Sequence, residues 1–149
     1  MLISQKCQYA LRGVFELARK YGQKPVKIAE IAEAQAIPAR FLEVILGELK
    51  QAGFVESRRG AEGGYRLIRS PDRLAVEEVI RFIEGPIGPV HCVKDESDNR
   101  CPLRGSCVFM SMWRRVQDAM TDIYRNTTFQ DLLNDDARSR EEFVPMYTI

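Results

Sequence analysis

One histidine in 149 residues leaves little for proton-transfer chemistry, and neither a nucleophile motif nor a phosphate-cradling glycine loop occurs. An enzyme is therefore not expected. Long apolar runs are missing too. None approaches the roughly 20 residues needed to cross a bilayer, and the opening Met-Leu-Ile-Ser-Gln-Lys-Cys lacks the apolar stretch of a secretory signal. No membrane partner is expected, and the cytoplasm is the expected location. Cysteine is scarce, at four residues. In a reducing compartment those are thiols or metal ligands rather than structural disulfides. Internal repeats and low-complexity segments are absent.

What is present is an ordinary globular composition, 45% hydrophobic and 29% charged, in a length that suits one small domain with an accessory segment. The net charge of +1 conceals an asymmetry. Residues 1–73 hold 13 Lys and Arg against 8 Asp and Glu, a net of +5, whereas residues 74–149 hold 9 against 13, a net of −4. A basic front and an acidic rear suit a polyanion that binds only at the front, although chance surface imbalance gives the same sum.

Apolar residues Ala10, Val14, Leu17 and Tyr21 recur at helical spacing and predict a helix from about Ser4 to Tyr21, ended by Gly22. Ile28, Ile31 and Ala32 predict a second, two-turn helix. Residues 34–37 form a turn, and Pro38 suits the first position of a third helix. That helix carries Leu42, Ile45, Leu46 and Leu49 on one face and Ala39, Arg40, Glu43, Gly47 and Gln51 on the other, and Gly53 caps it. The period then shortens. Residues 54–58 and 65–68 are strand candidates joined by the turn Arg59-Gly60-Ala61-Glu62-Gly63-Gly64. This order is that of a winged helix-turn-helix over residues 1–73, so the predicted class is mainly α with a small β-hairpin.

Residues 74–133 are expected to form dimerisation helices around a cysteine loop. Val76, Val79, Ile80 and Ile83 predict a helix stopped by Gly85-Pro86, and from Ile87 to Ser106 the hydrophobic period disappears. A long helix from about Cys107 to Asn126 carries Phe109, Met112, Trp113, Val116, Met120 and Ile123. So long an apolar face in so small a chain suggests a homodimer, the alternative being packing onto its own domain. Residues 127–133 predict a capped final helical turn. Residues 134–149 read as a polar, flexible tail with an apolar ending from Phe143 to Ile149.

Five segments carry a family resemblance: Gln8-Tyr9-Ala10-Leu11-Arg12, Phe41-Leu42-Glu43, Leu49-Lys50-Gln51-Ala52-Gly53-Phe54-Val55, the wing from Arg59 to Leu67, and Thr128-Phe129-Gln130-Asp131-Leu132. Over roughly residues 1–133 the chain resembles the IscR/NsrR/RirA/CymR family of bacterial transcription regulators. Double-stranded promoter DNA is then the expected partner and repression the expected action. The leading residues of the third helix, Pro38, Ala39, Arg40 and Glu43, would enter the major groove. Arg40 would donate to guanine or phosphate, and Glu43 would accept from a cytosine amino group. The wing would contribute Arg58, Arg59 and Gly60, with Arg59 inheriting the family's minor-groove contact. Tyr65 either touches phosphate or packs beneath the wing.

The resemblance also implies that Cys92, Cys101 and Cys107 bind a 2Fe–2S or 4Fe–4S cluster, thiolates being the preferred ligands of such iron. Iron or cluster status, nitric oxide or redox stress would then be the signal. The fourth ligand departs from the family. Met110 stands where one branch has histidine, and Gln8 where another has an acidic residue from the partner subunit. Three protein ligands with one open or exchangeable position is the simplest arrangement; Cys7, supplied from the partner subunit, is an alternative fourth ligand, and His91 adjoins Cys92 too closely to share its iron easily. Two rivals stay open: a thiol- or zinc-dependent regulator of the same fold, and an iron–sulfur electron carrier.

Overall fold

The computed structural model describes residues 2–142; Met1 and residues 143–149, with the apolar ending from Phe143 to Ile149, lie outside the described residues. Helix α1 (Gln5–Arg19) starts at Ser4, whose hydroxyl accepts the Cys7 N–H at 3.1 Å and so satisfies one open donor of the first turn. Its stripe of Cys7, Ala10, Val14, Leu17 and Ala18 is buried, and α2, α3, α4 and α7 all pack around it. Helix α2 (Ile28–Gln35) ends in the left-handed Ala36, at φ 51°, which makes the turn into α3 (Ala39–Gln51). Pro38 caps α3 from an extended conformation rather than occupying its first turn. Leu42, Ile45, Leu46 and Leu49 are buried as their spacing predicts.

Gly53, at φ 84°, turns the chain into β1 (Val55–Arg58), which pairs antiparallel with β2 (Gly64–Leu67) from Val55↔Leu67 to Arg58↔Gly64. The first strand is shorter than expected by Phe54, and the second keeps its length but is shifted one residue earlier, gaining Gly64 and losing Ile68. The hairpin is tethered on its far side, where Tyr65 and Val26 exchange both backbone hydrogen bonds at 2.8 Å. A side chain at Gly64 would run into the Val26 backbone, so only glycine permits this approach.

One 3₁₀ turn at Pro71–Arg73 leads into α4 (Val76–Glu84), whose first turn is closed by Glu78 accepting the Ala75 N–H at 3.1 Å. The aperiodic segment that follows contains one short helix, α5 (His91–Lys94), and a run of turns through residues 102–106. Helix α6 (Met110–Asn126) starts three residues later than its apolar pattern predicts, after the turns that carry Cys107. Helix α7 (Phe129–Glu142) corrects the tail reading: residues 134–142 continue the helix that begins at Phe129. No apolar stripe announces this stretch. Ion pairs one turn apart hold it, Asp135 with Arg138 and Asp136 with Arg140, and Arg19 of α1 binds Asp136 at 3.3 Å. Among the described residues no helix is long and apolar enough to cross a membrane.

Candidate nucleic-acid interface and cysteine pocket

Two groups of the predicted residues lie on separate elements. The first comprises the start of α3 and the tip of the hairpin. Pro38, Ala39, Arg40 and Glu43 are all exposed. The Arg40 guanidinium rests 4.8 Å from the centroid of the Phe41 ring, a cation–π contact that stores a charged group at the head of the helix without burying it. Arg58, Arg59 and Gly60 are likewise exposed. The turn between them is tight: Gly63 N–H donates to Gly60 O at 3.0 Å, Gly60 has φ 102°, and any side chain on Gly63 would collide with the backbone of Arg58 through Gly60. Tyr65 faces the other way, half-buried against the core beneath the hairpin.

The second group lies in the aperiodic segment between α4 and α6. Cys92 on α5 and Cys107 just before α6 line one pocket of about 320 Å³ together with Arg104, Gly105, Met110 and Arg114. Cys101 is exposed outside that lining, on the turn whose later residues, Arg104 and Gly105, form its rim. Arg104 is held there by donating to Asp98 O, and Arg100 pairs with Asp98 at 2.7 Å, which keeps that carboxyl well below the usual carboxylate range. Among the described residues no three His, Cys, Asp or Glu side chains converge closely enough to hold one metal ion. The donor chemistry and its place suit a thiolate-bound group, then, but this arrangement assembles two of the three sulfurs and leaves the third one turn away. His91 is exposed at the start of α5, and Met110 lines the pocket.

Cys7 is elsewhere. It is fully buried in α1, and its thiol is pushed up to about 12, first by burial and then by the charge and hydrogen bond of Glu84. A thiol so placed is a small core residue. Arg104 and Arg114, which line the pocket, and Gln117, which donates to Ile87 O and Val93 O beside it, carried no sequence signal, because polar residues of a loop or exposed helix have no period to mark them.

The Rrf2 family, described as iron-dependent transcriptional regulator, matches residues 3–135. The HTH-type transcriptional regulator CymR of Bacillus subtilis is 36% identical over 132 residues, 89% of each chain. Its solved structure, described as the global cysteine regulator, superimposes with a TM-score of 0.72 at 35% identity, covering 89% of this chain and 95% of that one. The structure of T. potens IscR gives a TM-score of 0.73 at 30% identity, covering 91% and 88%. A winged-helix fold, the matched residues and these relatives together place the chain in the Rrf2 family of DNA-binding transcriptional regulators, not among enzymes.

Proposed function

We propose that this chain is a homodimeric, cytoplasmic repressor whose hold on promoter DNA depends on an iron–sulfur cluster bound by Cys92, Cys101 and Cys107. The observation that carries this reading is the shared pocket of Cys92 and Cys107 at the head of α6, rimmed by the very turn that bears Cys101. A swing of that one exposed turn brings the third sulfur inward, at no cost to a packed core. Arg104 and Arg114 supply positive charge beside the thiolates. When bound, a 2Fe–2S or 4Fe–4S cluster would supply iron able to react with oxygen or nitric oxide, or to be lost in iron shortage. Cys7 has no part in this site, since a ligand thiolate there would have to leave the core of α1.

On the DNA side, Pro38 and Ala39 bring the head of α3 into the major groove, where Arg40 leaves Phe41 for a base edge or phosphate and Glu43 selects for a cytosine amino group. Arg58, Arg59 and Gly60 enter the adjacent minor groove, Arg59 deepest, and Tyr65 supports the hairpin from below. Two copies joined along α6 would read a near-palindromic operator. Holding the three cysteines together changes affinity only so far as it favours one arrangement of the two DNA-binding domains over another.

A second reading, regulation by the thiols themselves or by zinc, draws on the same pocket, because only two sulfurs share it. Anaerobic purification separates the two. The cluster reading predicts a brown protein with visible absorption, lost in Cys92→Ala, Cys101→Ala and Cys107→Ala but kept in Cys7→Ala. A colourless wild type holding zinc, or no metal, supports the second reading instead.

A further inference from the structure

The pocket's two sulfurs belong to different segments, and something must hold them in register. Cys107 is fixed to α6 by the chain itself, since the Met110 N–H donates to its carbonyl at 3.2 Å as the helix begins. Cys92 sits on a helix of four residues, too short to be rigid alone. We propose that Gln117 of α6 is the positioning residue that fixes Cys92 in the pocket. This proposal rests on the reading of that pocket as the sensing site.

The half-buried Gln117 side chain donates from its single amide nitrogen to Ile87 O at 2.9 Å and to Val93 O at 2.8 Å. An amide nitrogen carries two hydrogens, and both are used. The two carbonyls stand at the ends of the stretch that carries Cys92, and Ile87 and Val93 are buried. Gly88 lies under the same contact: a Cβ there would meet the Gln117 nitrogen at 3.3 Å, Val93 Cγ2 at 3.2 Å and Lys94 Cγ at 2.7 Å. The sequence thus leaves room for the amide and closes the space around it. Gln117 follows Arg114 by three residues and Met110 by seven, so it extends the α6 face that lines the pocket. Both sulfurs are thereby referred to one helix, Cys107 by covalent continuity and Cys92 by Gln117.

The test needs no iron. Phenylarsine oxide is titrated into the metal-free Cys101→Ala protein, where Cys92 and Cys107 are the accessible thiols. Two As–S bonds form as the thiol protons join the arsenical oxygen and leave as water, with no change of sulfur oxidation state, so tight binding reports two thiols within reach of one arsenic. Gln117→Leu removes both donors at similar volume, and Gln117→Glu keeps the shape while facing the two carbonyls with oxygens. Each is expected to weaken arsenical binding at least about tenfold, the scale of two hydrogen bonds. Both variants should stay folded with thermal midpoints only modestly below that of the Cys101→Ala parent, the drop expected when two carbonyls lose their donors. Undiminished binding in either variant overturns the proposal, as does a Cys101→Ala parent that holds no arsenical through two thiols. Failure of the full chain to take up a cluster would refute the proposed function alone and would leave the arsenical result standing.

Discussion

At the wing, a single glycine separates a usable turn from a collision. Gly63 has no room for a side chain because the Arg58, Arg59 and Gly60 backbone folds over it. Gly63→Ala should therefore distort the wing while the distant core of α1 and α3 stays folded. Operator affinity should fall at least tenfold with the thermal midpoint of the core nearly unchanged, and a gel-shift series with a melting curve checks both. Arg59→Ala should cost about 1–3 kcal/mol of operator binding and reduce the salt slope by about one charge. Unaltered affinity and slope would show that Arg59 stays in solvent. These positions were legible in the sequence, since glycines between two short apolar runs and an arginine before them mark a wing. The meaning of Cys7 was not: a cysteine's neighbours in space decide whether it is a ligand or core, and spacing alone does not give them. Its burial against Glu84 points to packing, so Cys7→Ala should lose only about 1 kcal/mol of stability, the scale of one small buried group.

Between elements, an ion pair ties α4 to the long helix α6, beside the packing of Met120 and Tyr124 on the core. Glu77 of α4 is buried, accepting from Arg81 at 2.6 Å and from Arg125 of α6 at 3.2 Å. Burial by itself would raise its pKa, but the hydrogen bonds and charges of the two guanidinium groups outweigh that and hold it below the ordinary 4.5. A carboxyl lowered on folding adds stability in full above its unfolded pKa, and loses it as pH falls through the lowered folded value. Glu77→Gln should thus be less stable than wild type near pH 7, by about 1–3 kcal/mol, and the gap should close as the solution is acidified below the usual carboxylate range. Urea titrations across that window read it, and a gap independent of pH would deny the ion pairs their role. The same distinction explains what periodicity could reveal. Helices α1, α3 and α4 bury apolar stripes and were legible to within a residue or two. The second half of α7 is held by Asp135, Asp136 and their arginines, and charges at helical spacing look like a solvated tail. Likewise Cys92, Cys101 and Cys107 were legible as one spaced group, whereas the shared pocket of Cys92 and Cys107 and the outward position of Cys101 depend on a turn whose hydrogen bonds no periodic pattern encodes.

For the molecule as a whole, α6 is the element left unfinished. Seventeen residues span about 25 Å, none is buried, and Met112, Val116 and Ile123 face outward, the last 64% exposed. A second copy covering this face, as proposed, would account for the stripe and set the spacing of two α3 helices on DNA. Val116→Glu should convert the protein to monomers in sedimentation velocity and weaken operator binding by more than the loss of one contact. A variant that stays dimeric would place the interface elsewhere. The central claim, that the cysteine segment controls the reader through a bound cluster, is tested most directly by measuring operator affinity of one anaerobic preparation before and after chelation strips its iron. A visibly absorbing protein is expected, its affinity changing at least about tenfold, the usual scale of coupling between sites, with Cys92→Ala fixed at the stripped value. A preparation whose affinity is the same loaded, stripped and in Cys92→Ala would contradict it.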